Sequence, residues 1–499
     1  MPETPDQDLP SIPATLRRIA VEKDEVRAVT LVRNDGSAQS ITWGELHRHS
    51  NRMARALTEA GVRFGDFVTI ALPNSLGFIE ACYAVWKLGA VPQPVSSRLP
   101  EAELDAIVEL ANTPVVIGGK ELRSKRPVFS PATLLARSKD DSTLPDVISP
   151  SWKAPTSGGS TGRPKLIVSG QPAVADGAGQ AVWRIVPDDV VLMPGPLYHN
   201  GPLITTFYAL QAGAEVVLMP KFDAQATLAN IASYSATWVY FVPTMMGRIW
   251  RLPEEVRAQY DVSSLRTIWH LAAPCPSWLK EAWIGWLGPD VVWELYGGTE
   301  GISSTTISGR EWLSHRGSVG KPLDGGIMKA FDEQGRELPP GQTGEIFMKR
   351  VEGFAATYRY VGAEARSLPG GWESIGDIGW FDEEGYLYLA DRRSDMILVG
   401  GANVYPAEVE AALEEHPLVA SSAVIGLPDD DLGNRIHAII QPREGLDLDD
   451  LSRHLAERLV IYKRPRSFEL VNENVRDDAG KVRRSALRAA RIDKQKAGA

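Results

Sequence analysis

Residues 156–165 (Thr-Ser-Gly-Gly-Ser-Thr-Gly-Arg-Pro-Lys) form the most chemically suggestive run in the chain. Small residues let the backbone bend tightly and aim several N–H groups at one point, while the hydroxyls and two cations complete a cradle for an anion. The run is not a Walker loop, because Lys165 lacks the preceding Gly and the following Ser or Thr. Taken alone, it fits a flexible surface turn as well as a phosphate-binding loop.

Two further segments place acidic residues where a nucleotide would need them. Residues 296–300 (Tyr-Gly-Gly-Thr-Glu) follow the apolar run 291–295. Glu300 at the exit of a buried strand can reach a cation that bridges phosphates, and Tyr296 could stack on a purine. Asp377 follows Gly376 in a turn and could accept hydrogen bonds from ribose hydroxyls. The alternatives are a solvated Glu in a strand-ending turn and a turn-capping Asp.

Two more segments complete the set. Residues 391–408 contain Asp391, Arg392, Ser394 and a Gly-Gly pair, and residues 480–484 read Gly-Lys-Val-Arg-Arg. A lone lysine such as Lys481 in a polar loop is ordinarily exposed to solvent. The basic residues that follow it would by default form the solvated face of a helix. No single segment of the five therefore identifies a function, and their order along the chain is the stronger observation.

In this order the five segments resemble those of the adenylate-forming superfamily, which contains acyl-CoA synthetases, non-ribosomal peptide adenylation domains and luciferases. The resemblance runs from about residue 42 to residue 487, nearly the whole chain. It implies ATP, Mg²⁺ and coenzyme A as ligands and a carboxylic acid as substrate. The glycine-rich run departs from the usual pattern, since Gly159-Ser160 stand where the superfamily normally has two threonines.

The resemblance also implies roles for individual residues. Glu300 corresponds to the Mg²⁺ ligand, Thr299 to the α-phosphate contact, and Lys481 to the lysine that bridges the carboxylate and the α-phosphate. The remaining nucleotide contacts implied are the phosphate loop (Thr156, Ser157, Gly158, Gly159, Ser160, Thr161, Gly162 and Lys165), the adenine-binding turn with its neighbours (Ala273, Pro274, Tyr296 and Gly297), and the ribose contacts (Asp377 and Arg392).

The implied reaction explains why these residue types are needed. A carboxylate that attacks an α-phosphate brings two anions together and builds negative charge on the phosphate oxygens and the departing pyrophosphate. Fixed cations and N–H donors stabilise that charge without a covalent nucleophile. Mg²⁺, Lys165 and Lys481 would supply positive charge, and Asp377 and Arg392 would orient the nucleotide.

Transfer of the acyl group to a thiol is expected to involve the small C-terminal domain. In the superfamily this domain swings about a hinge, which corresponds here to Ser394, where Asp or Lys is usual. Gly401 matches the glycine that lines the thiol tunnel. Three residues (Arg98, Tyr462 and Arg464) stand where some relatives contact the coenzyme A nucleotide, and ordinary surface residues are the alternative interpretation.

The acid itself is less defined. Residues 196–201 (Pro-Leu-Tyr-His-Asn-Gly) resemble the segment beside the acyl carboxylate, where His199 replaces the Asp of amino-acid-activating relatives. His199 could instead gate the thiol tunnel or be a structural histidine. A bulky hydrophobic acid is expected from the acyl-pocket candidates, some of which could be plain core (Trp183, Trp238, Tyr240, Pro243, Met245, Trp269 and Leu271). The variant motifs resemble those of bile-acid and steroid-side-chain CoA ligases.

The elements that must position these residues alternate between strand and helix. Helices are predicted at 43–61 and 78–88, and strands at 67–72, 91–95, 190–193 and 238–242. This rhythm predicts an α/β fold with a large, multi-layered N-terminal body. Short runs with tight turns at 332–335 and 382–385 predict a β-rich subdomain. We expect an N-terminal AMP-binding domain over 1–390, a hinge at 391–396 and a small, mobile α+β domain over 397–499.

Composition limits the class of protein. The 499 residues are 43% hydrophobic and carry a formal charge of −10, which disfavours nucleic acid as a main partner. Two cysteines exclude a disulfide framework and suggest the cytoplasm, and no apolar run reaches membrane-spanning length. A homodimer is compatible with the sequence. Two rival functions stay open. A ligase that loads a carrier-protein phosphopantetheine would share every motif, whereas the presence of Glu300, Asp377, Arg392 and Lys481 argues against a nucleotide-binding relative without turnover.

Overall fold

The computed structural model describes residues 9–158, 164–351, 356–400, 402–429, 431–477 and 480–497. The first predicted helix illustrates how local sequence sets an element. It begins at Trp43 because the Thr42 hydroxyl accepts a hydrogen bond from the Glu45 N–H (3.2 Å), while the Glu45 carboxylate accepts one from the Thr42 N–H (3.0 Å). This capping box satisfies two N–H groups that a helix start leaves without partners.

The first third of the chain forms helices around two sheets. Its helices are α1 (Ile12–Glu22), α2 (Trp43–Glu59), α3 (Leu76–Trp86), α4 (Glu101–Ala111) and α5 (Pro131–Arg137). Its strands are β1 (Arg27–Val32), β2 (Ala38–Thr42), β3 (Phe67–Ala71), β4 (Val91–Pro94), β5 (Val116–Gly118) and β6 (Val128–Phe129). Strands β4, β3, β5 and β6 make a parallel four-stranded sheet. The predicted strand–helix–strand rhythm is therefore confirmed here.

The middle of the chain supplies the central sheet. Its strands are β7 (Thr156–Gly158), β8 (Pro164–Ser169), β9 (Val190–Met193), β10 (Glu215–Leu218), β11 (Trp238–Phe241), β12 (Thr267–His270) and β13 (Val292–Gly297). Its helices are α6 (Ala178–Trp183), α7 (Asn200–Ala212), α8 (Ala224–Tyr234), α9 (Pro243–Trp250), α10 (Glu254–Arg257) and α11 (Ser277–Leu287). Neighbours in the order β13-β12-β11-β9-β10-β1 all pair in parallel.

Most strands of the β-rich region that follows continue this sheet in antiparallel fashion. It comprises β14 (Ser304–Ser308), the short helix α12 (Gly309–Trp312), β15 (Ser318–Pro322), β16 (Gly326–Phe331), β17 (Gly344–Arg350), β18 (Tyr358–Val361), β19 (Arg366–Leu368), β20 (Trp372–Ser374), β21 (Asp377–Phe381) and β22 (Leu387–Arg392). Both tight turns predicted here are present. In each, an aspartate carboxylate (Asp332 or Asp382) accepts hydrogen bonds from two backbone N–H groups of its own turn.

Residues beyond 396 build a separate hydrophobic core. The elements are β23 (Ile397–Val399), β24 (Ala402–Val404), α13 (Pro406–Glu414), β25 (Val419–Asp429), β26 (Gly433–Pro442), α14 (Leu448–Arg458), the 3₁₀ turn Ile461–Lys463, β27 (Ser467–Leu470) and α15 (Arg484–Ala497). In this core, Val404 of β24 belongs to the same buried cluster as Val409 and Leu413 of α13 and Leu451 of α14. Arginines of α15 do not form only a solvated face, because Arg488 donates to the Gly426 carbonyl and Arg491 pairs with Glu469.

Candidate active site

The site lies at the carboxyl edge of the parallel strands. Strands β9, β11, β12 and β13 run in the same direction, so the segments that follow them emerge at one edge. These segments contain the predicted acyl-carboxylate motif (196–201), the start of α9 (243–244), the predicted adenine turn (272–274) and the end of the acidic motif (296–300). Open α/β sheets bind ligands in the crevice at such edges.

Glu300 and Lys165 meet although they are 135 positions apart in the sequence. Glu300 is 7% exposed, and its Oε1 lies 3.8 Å from Lys165 Nζ. Tyr360 on β18 donates its hydroxyl hydrogen to the same oxygen at 2.6 Å, and its ring centre is 3.8 Å from Lys165 Nζ. Burial lowers the pKa of Lys165, an effect that nearby Glu300 opposes and Arg392 reinforces. Tyr360 was not identified from the sequence, where it is one aromatic residue of an ordinary strand pattern.

Asp377 and Arg392 face each other across neighbouring strands β21 and β22, in paired register. Arg392 Nε is 3.4 Å from Asp377 Oδ1, and the Tyr296 hydroxyl donates to Asp377 Oδ2 at 2.7 Å. Burial raises the pKa of Asp377, and the Arg392 guanidinium opposes that rise. A carboxylate held in this way is well placed to accept hydrogen bonds from a polar ligand.

The backbone around Glu300 and the adenine turn is specialised. A Cβ on Gly298 would lie 2.6 Å from Glu300 Oε2 and 3.0 Å from the Ile375 side chain, so only glycine leaves room for the carboxylate. Ala272 has φ +74°, a left-handed conformation that is costly for a residue with a Cβ. Strain of this kind clusters at functional sites, and here it precedes Ala273 and Pro274.

Lys481 joins the same cluster from the C-terminal region. Its loop closes through hydrogen bonds between Asp477 and Lys481, and Gly480 (φ +75°) packs so tightly on α9 that a Cβ there would be 2.9 Å from Thr244 Oγ1. Burial and Arg392 lower the pKa of Lys481, while Asp477, Glu300 and Asp377 oppose that shift. The charges that act on Lys165 therefore act on Lys481 as well.

Helix α9 provides the surface on which the C-terminal region docks. Arg251, just after the helix, donates to the Ala420 and Glu414 carbonyls at 3.1 Å each, and Arg248 contacts Asn474 at 3.3 Å. Glu414 ends α13, so its carbonyl lies at the negative end of that helix. This role could not be predicted from the sequence, because an arginine after an amphipathic helix is usually a solvated residue.

One buried carboxylate, rather than a cluster, is available for a metal ion. Within the described ranges, no group of three or more His, Cys, Asp or Glu side chains could hold a metal. Magnesium in nucleotide enzymes is commonly bound through one or two carboxylates together with substrate phosphates. Glu300, buried beside Lys165, fits such a shared site.

Among the acyl-pocket candidates, three tryptophans pack on one another, whereas Tyr240 lies elsewhere. The indole N–H groups of Trp238 and Trp269 both donate to the Trp183 carbonyl, at 2.8 and 3.0 Å, as in a packed core. Tyr240 instead lies against the acyl-carboxylate motif, since a Cβ on Gly201 would be 2.6 Å from its hydroxyl oxygen. His199 precedes α7 and its ring packs on Tyr198 at 4.4 Å.

Other predicted contacts lie away from this cluster or outside the described ranges. Arg98 is exposed in the turn before α4, and Tyr462 is 46% exposed in the C-terminal region. The Arg464 guanidinium donates to the Leu459 and Ala456 carbonyls at the end of α14. Thr156 accepts a hydrogen bond from Gln93, and the Ser157 and Gly158 backbone belongs to β7. Four phosphate-loop residues (Gly159, Ser160, Thr161 and Gly162) and Gly401 are not among the described residues.

Comparison with known proteins defines the class of this fold and site. The model of the AMP-binding enzyme family matches residues 16–358, and that of the AMP-binding enzyme C-terminal domain matches residues 408–481. The chain therefore belongs to the AMP-binding enzyme family. It is 32% identical to a feruloyl-CoA synthase of Amycolatopsis sp over 92% of this chain and 95% of that protein.

Two further similarities cover almost the whole chain. A fatty acid–acyl-carrier-protein ligase of Streptomyces coeruleorubidus is 30% identical, over 90% of this chain and 91% of that protein. The o-succinylbenzoate CoA synthetase of Bacillus subtilis, solved with its acyl-adenylate intermediate, superposes with a TM-score of 0.79 at 28% identity, covering 95% of this chain and 97% of that one. The same enzyme has been solved with ATP and a magnesium ion.

These findings confirm several predictions from the sequence. The superfamily, the mixed α/β fold with its separate C-terminal part, and the AMP-forming acid–thiol ligase class are all confirmed. ATP, Mg²⁺ and coenzyme A fit that class. Among the described residues, no helix is both long and apolar enough to cross a membrane.

Proposed function

We propose that the chain activates a bulky, largely apolar carboxylic acid as its acyl-adenylate and transfers the acyl group to coenzyme A. One observation carries this proposal: residues from five distant segments converge on one edge of the sheet. Lys165 contacts Glu300, Asp377 contacts Arg392, and the field of Arg392 reaches both Lys165 and Lys481. Three cations and two carboxylates in one place suit a polyphosphate with a bridging metal ion.

In this proposal the cations hold the two anionic reactants together. Lys165 binds the β- and γ-phosphates, and Lys481 lies between the carboxylate and the α-phosphate. Asp377 and Arg392 bind the ribose, and Ala273 and Pro274 border the adenine. Glu300 would hold Mg²⁺, which when bound neutralises phosphate charge and makes pyrophosphate a better leaving group. Thr299, half-buried next to Glu300 in the chain, is proposed to contact the α-phosphate.

The acid is proposed from the apolar lining and from the relatives. Tyr240 and Met245 are buried where the acyl-carboxylate motif meets the start of α9. The relatives named above include a feruloyl-CoA synthase and an o-succinylbenzoate CoA synthetase. An aromatic or polycyclic acid therefore fits better than an amino acid, for which His199 offers no carboxylate to pair with the ammonium group.

Coenzyme A is the proposed acceptor. For the second step, transfer of the acyl group to its thiol, the C-terminal domain (397–499) would swing about residues 391–396. Ser394 is exposed at this position, and its neighbour Asp395 pairs with Arg484 at 2.7 Å. Gly401, Arg98, Tyr462 and Arg464 are proposed to meet coenzyme A after this movement. A homodimer and a cytoplasmic location stay predictions.

A panel of carboxylic acids tests the proposal. Each acid is incubated with ATP and Mg²⁺, and pyrophosphate release is followed with and without coenzyme A. We expect release to depend on a bulky apolar acid, with a thioester forming only when coenzyme A is present. Carrier-protein phosphopantetheine serves as the alternative acceptor. Transfer to the carrier alone would replace coenzyme A in the proposal, and no release with any acid would refute adenylation.

Docking through Arg251 predicts a selective defect. Arg251→Met removes the two hydrogen bonds that hold α13 and β25 against α9, so Lys481 should reach the site less often. We expect acid-dependent pyrophosphate exchange to fall about 10-fold, as loss of charged hydrogen bonds suggests. Thioester formation from added acyl-adenylate should be unchanged. Arg257→Met is the matched control, because Arg257 contacts Trp250 and Trp286 within the large body. Equal loss in both half-reactions would contradict docking as the cause.

A further inference from the structure

Lys153 is a buried lysine that the proposed reaction has not used. It lies three residues before the start of β7 and is 7% exposed. Its backbone carbonyl is held by two hydrogen bonds, because the Ser169 N–H and the Ser151 hydroxyl both donate to it at 3.0 Å. The adjoining Trp152 carbonyl accepts the Trp86 indole hydrogen at 2.8 Å. The side chain therefore starts from a rigid position.

The Lys153 ammonium has an unusual set of partners. Its Nζ donates to Asn200 Oδ1 at 2.7 Å, the one acceptor that the described residues provide. Two other buried lysines are treated differently: Lys280 pairs with the Glu294 carboxylate, and Lys87 donates to Asn51 Oδ1 and to the His47 carbonyl. Burying a cation without an anionic partner is costly, and burial lowers the pKa of Lys153 to about 8.

The direction of this side chain points to an anionic ligand. Asn200 is the first residue of α7, which carries no side-chain cap, and Tyr240 packs on the next residue, Gly201. Glu300 is the carboxylate whose charge partly opposes the lowering of the Lys153 pKa. Lys153 thus lies beside a helix N-terminus, which also favours negative charge, and next to the turn on which Tyr240 packs.

We propose that the Lys153 ammonium binds the reacting carboxylate of the acid and holds it at the N-terminal end of α7, on the side opposite Lys481. This inference rests on the proposed function, because it assigns a contact within that same site. In the reaction a carboxylate oxygen forms a bond to the α-phosphorus, and the bond from that phosphorus to the pyrophosphate oxygen breaks. Lys153 keeps its protons throughout and acts by orientation and charge.

The test compares Lys153→Met with Lys153→Gln. Glutamine removes the charge but can still donate to Asn200, whereas methionine removes both. In acid-dependent pyrophosphate release, both variants should raise the KM for the acid about 10- to 100-fold, the usual effect of losing a charged hydrogen bond. The KM for ATP should be unchanged. If Lys153→Met does not fold, Lys153→Gln carries the comparison.

A neutral analogue separates charge recognition from a structural role. In the wild-type enzyme, the primary carboxamide of the same acid should be a weak competitor of the acid. In both variants, the difference in affinity between the acid and the amide should be smaller. A Lys153→Gln variant with the wild-type KM, or equal losses for acid and amide, would overturn the inference. If the wild-type enzyme is active in these assays, either of these results refutes only the Lys153 contact and leaves the proposed function intact. An inactive wild type would instead refute the proposed function.

Discussion

Replacing Lys481 by methionine should lower the rate of acyl-adenylate formation about 10²- to 10³-fold, as expected when one charge-stabilising group is removed from a transition state. Lys481 is held by a loop that packs Gly480 on Thr244, and it lies in the field of Glu300 and Asp377. Its ammonium is needed only while the carboxylate approaches the α-phosphate. ATP binding should therefore change little, and thioester formation from added acyl-adenylate should persist.

The measurement is acid-dependent exchange of pyrophosphate into ATP, with ATP affinity determined separately. Lys463→Met is the matched control, because Lys463 belongs to the same region but pairs with Glu408 at 2.7 Å. The control should keep full exchange. Wild-type exchange in Lys481→Met would show that this lysine does not act in adenylation, and loss of ATP binding would assign it a ground-state role instead.

Glu300→Gln should be similarly damaging, with about 10²-fold slower adenylation. Glutamine has nearly the same shape and can still accept the Tyr360 hydrogen bond, so the change removes mainly the negative charge that would hold Mg²⁺. Raising the Mg²⁺ concentration should recover part of the rate, because the metal would then be held more by the phosphates of ATP. The magnesium dependence of pyrophosphate release measures this effect.

Tyr360→Phe provides the comparison for Glu300. It removes the 2.6 Å hydrogen bond to Glu300 Oε1 but keeps the ring beside Lys165. This hydrogen bond has a charged acceptor and so contributes about 1.5 to 3 kcal/mol, but the Glu300 charge is kept. The rate should therefore fall less than in Glu300→Gln, and the magnesium dependence should stay near that of wild type. An unchanged magnesium dependence in Glu300→Gln would refute Glu300 as the metal ligand.

Binding of the polyphosphate should also relieve a repulsion built into the free site. Arg392 lies close enough to both Lys165 and Lys481 to lower the pKa of each, so three cations lie near one another, and Glu300, Asp377 and Asp477 partly offset their charge. An incoming anion converts this cost into attraction. The site is thus arranged for the charge of its ligand rather than for its own stability.

The sequence alone determined the local elements and the chemistry-bearing segments. Capping at Thr42 and the turns at Asp332 and Asp382 depend on residues within a few positions of each other, and such local preferences can be read directly. The order of the glycine-rich run, the Glu300 motif, Asp377, Arg392 and Lys481 sufficed to identify the superfamily. The apolar strands also indicated a buried parallel sheet.

Tertiary structure decided which of these residues meet and which others join them. Tyr360 reaches Glu300, Arg251 holds α13, and Lys153 reaches Asn200 across separations of 47 to 163 positions. No local pattern encodes such contacts, because they arise from the packing of separate elements. Burial then changes what each residue can do. In the sequence Lys153 is one lysine among many, whereas in the fold it is a buried cation whose one hydrogen-bond acceptor among the described residues is the neutral Asn200 amide.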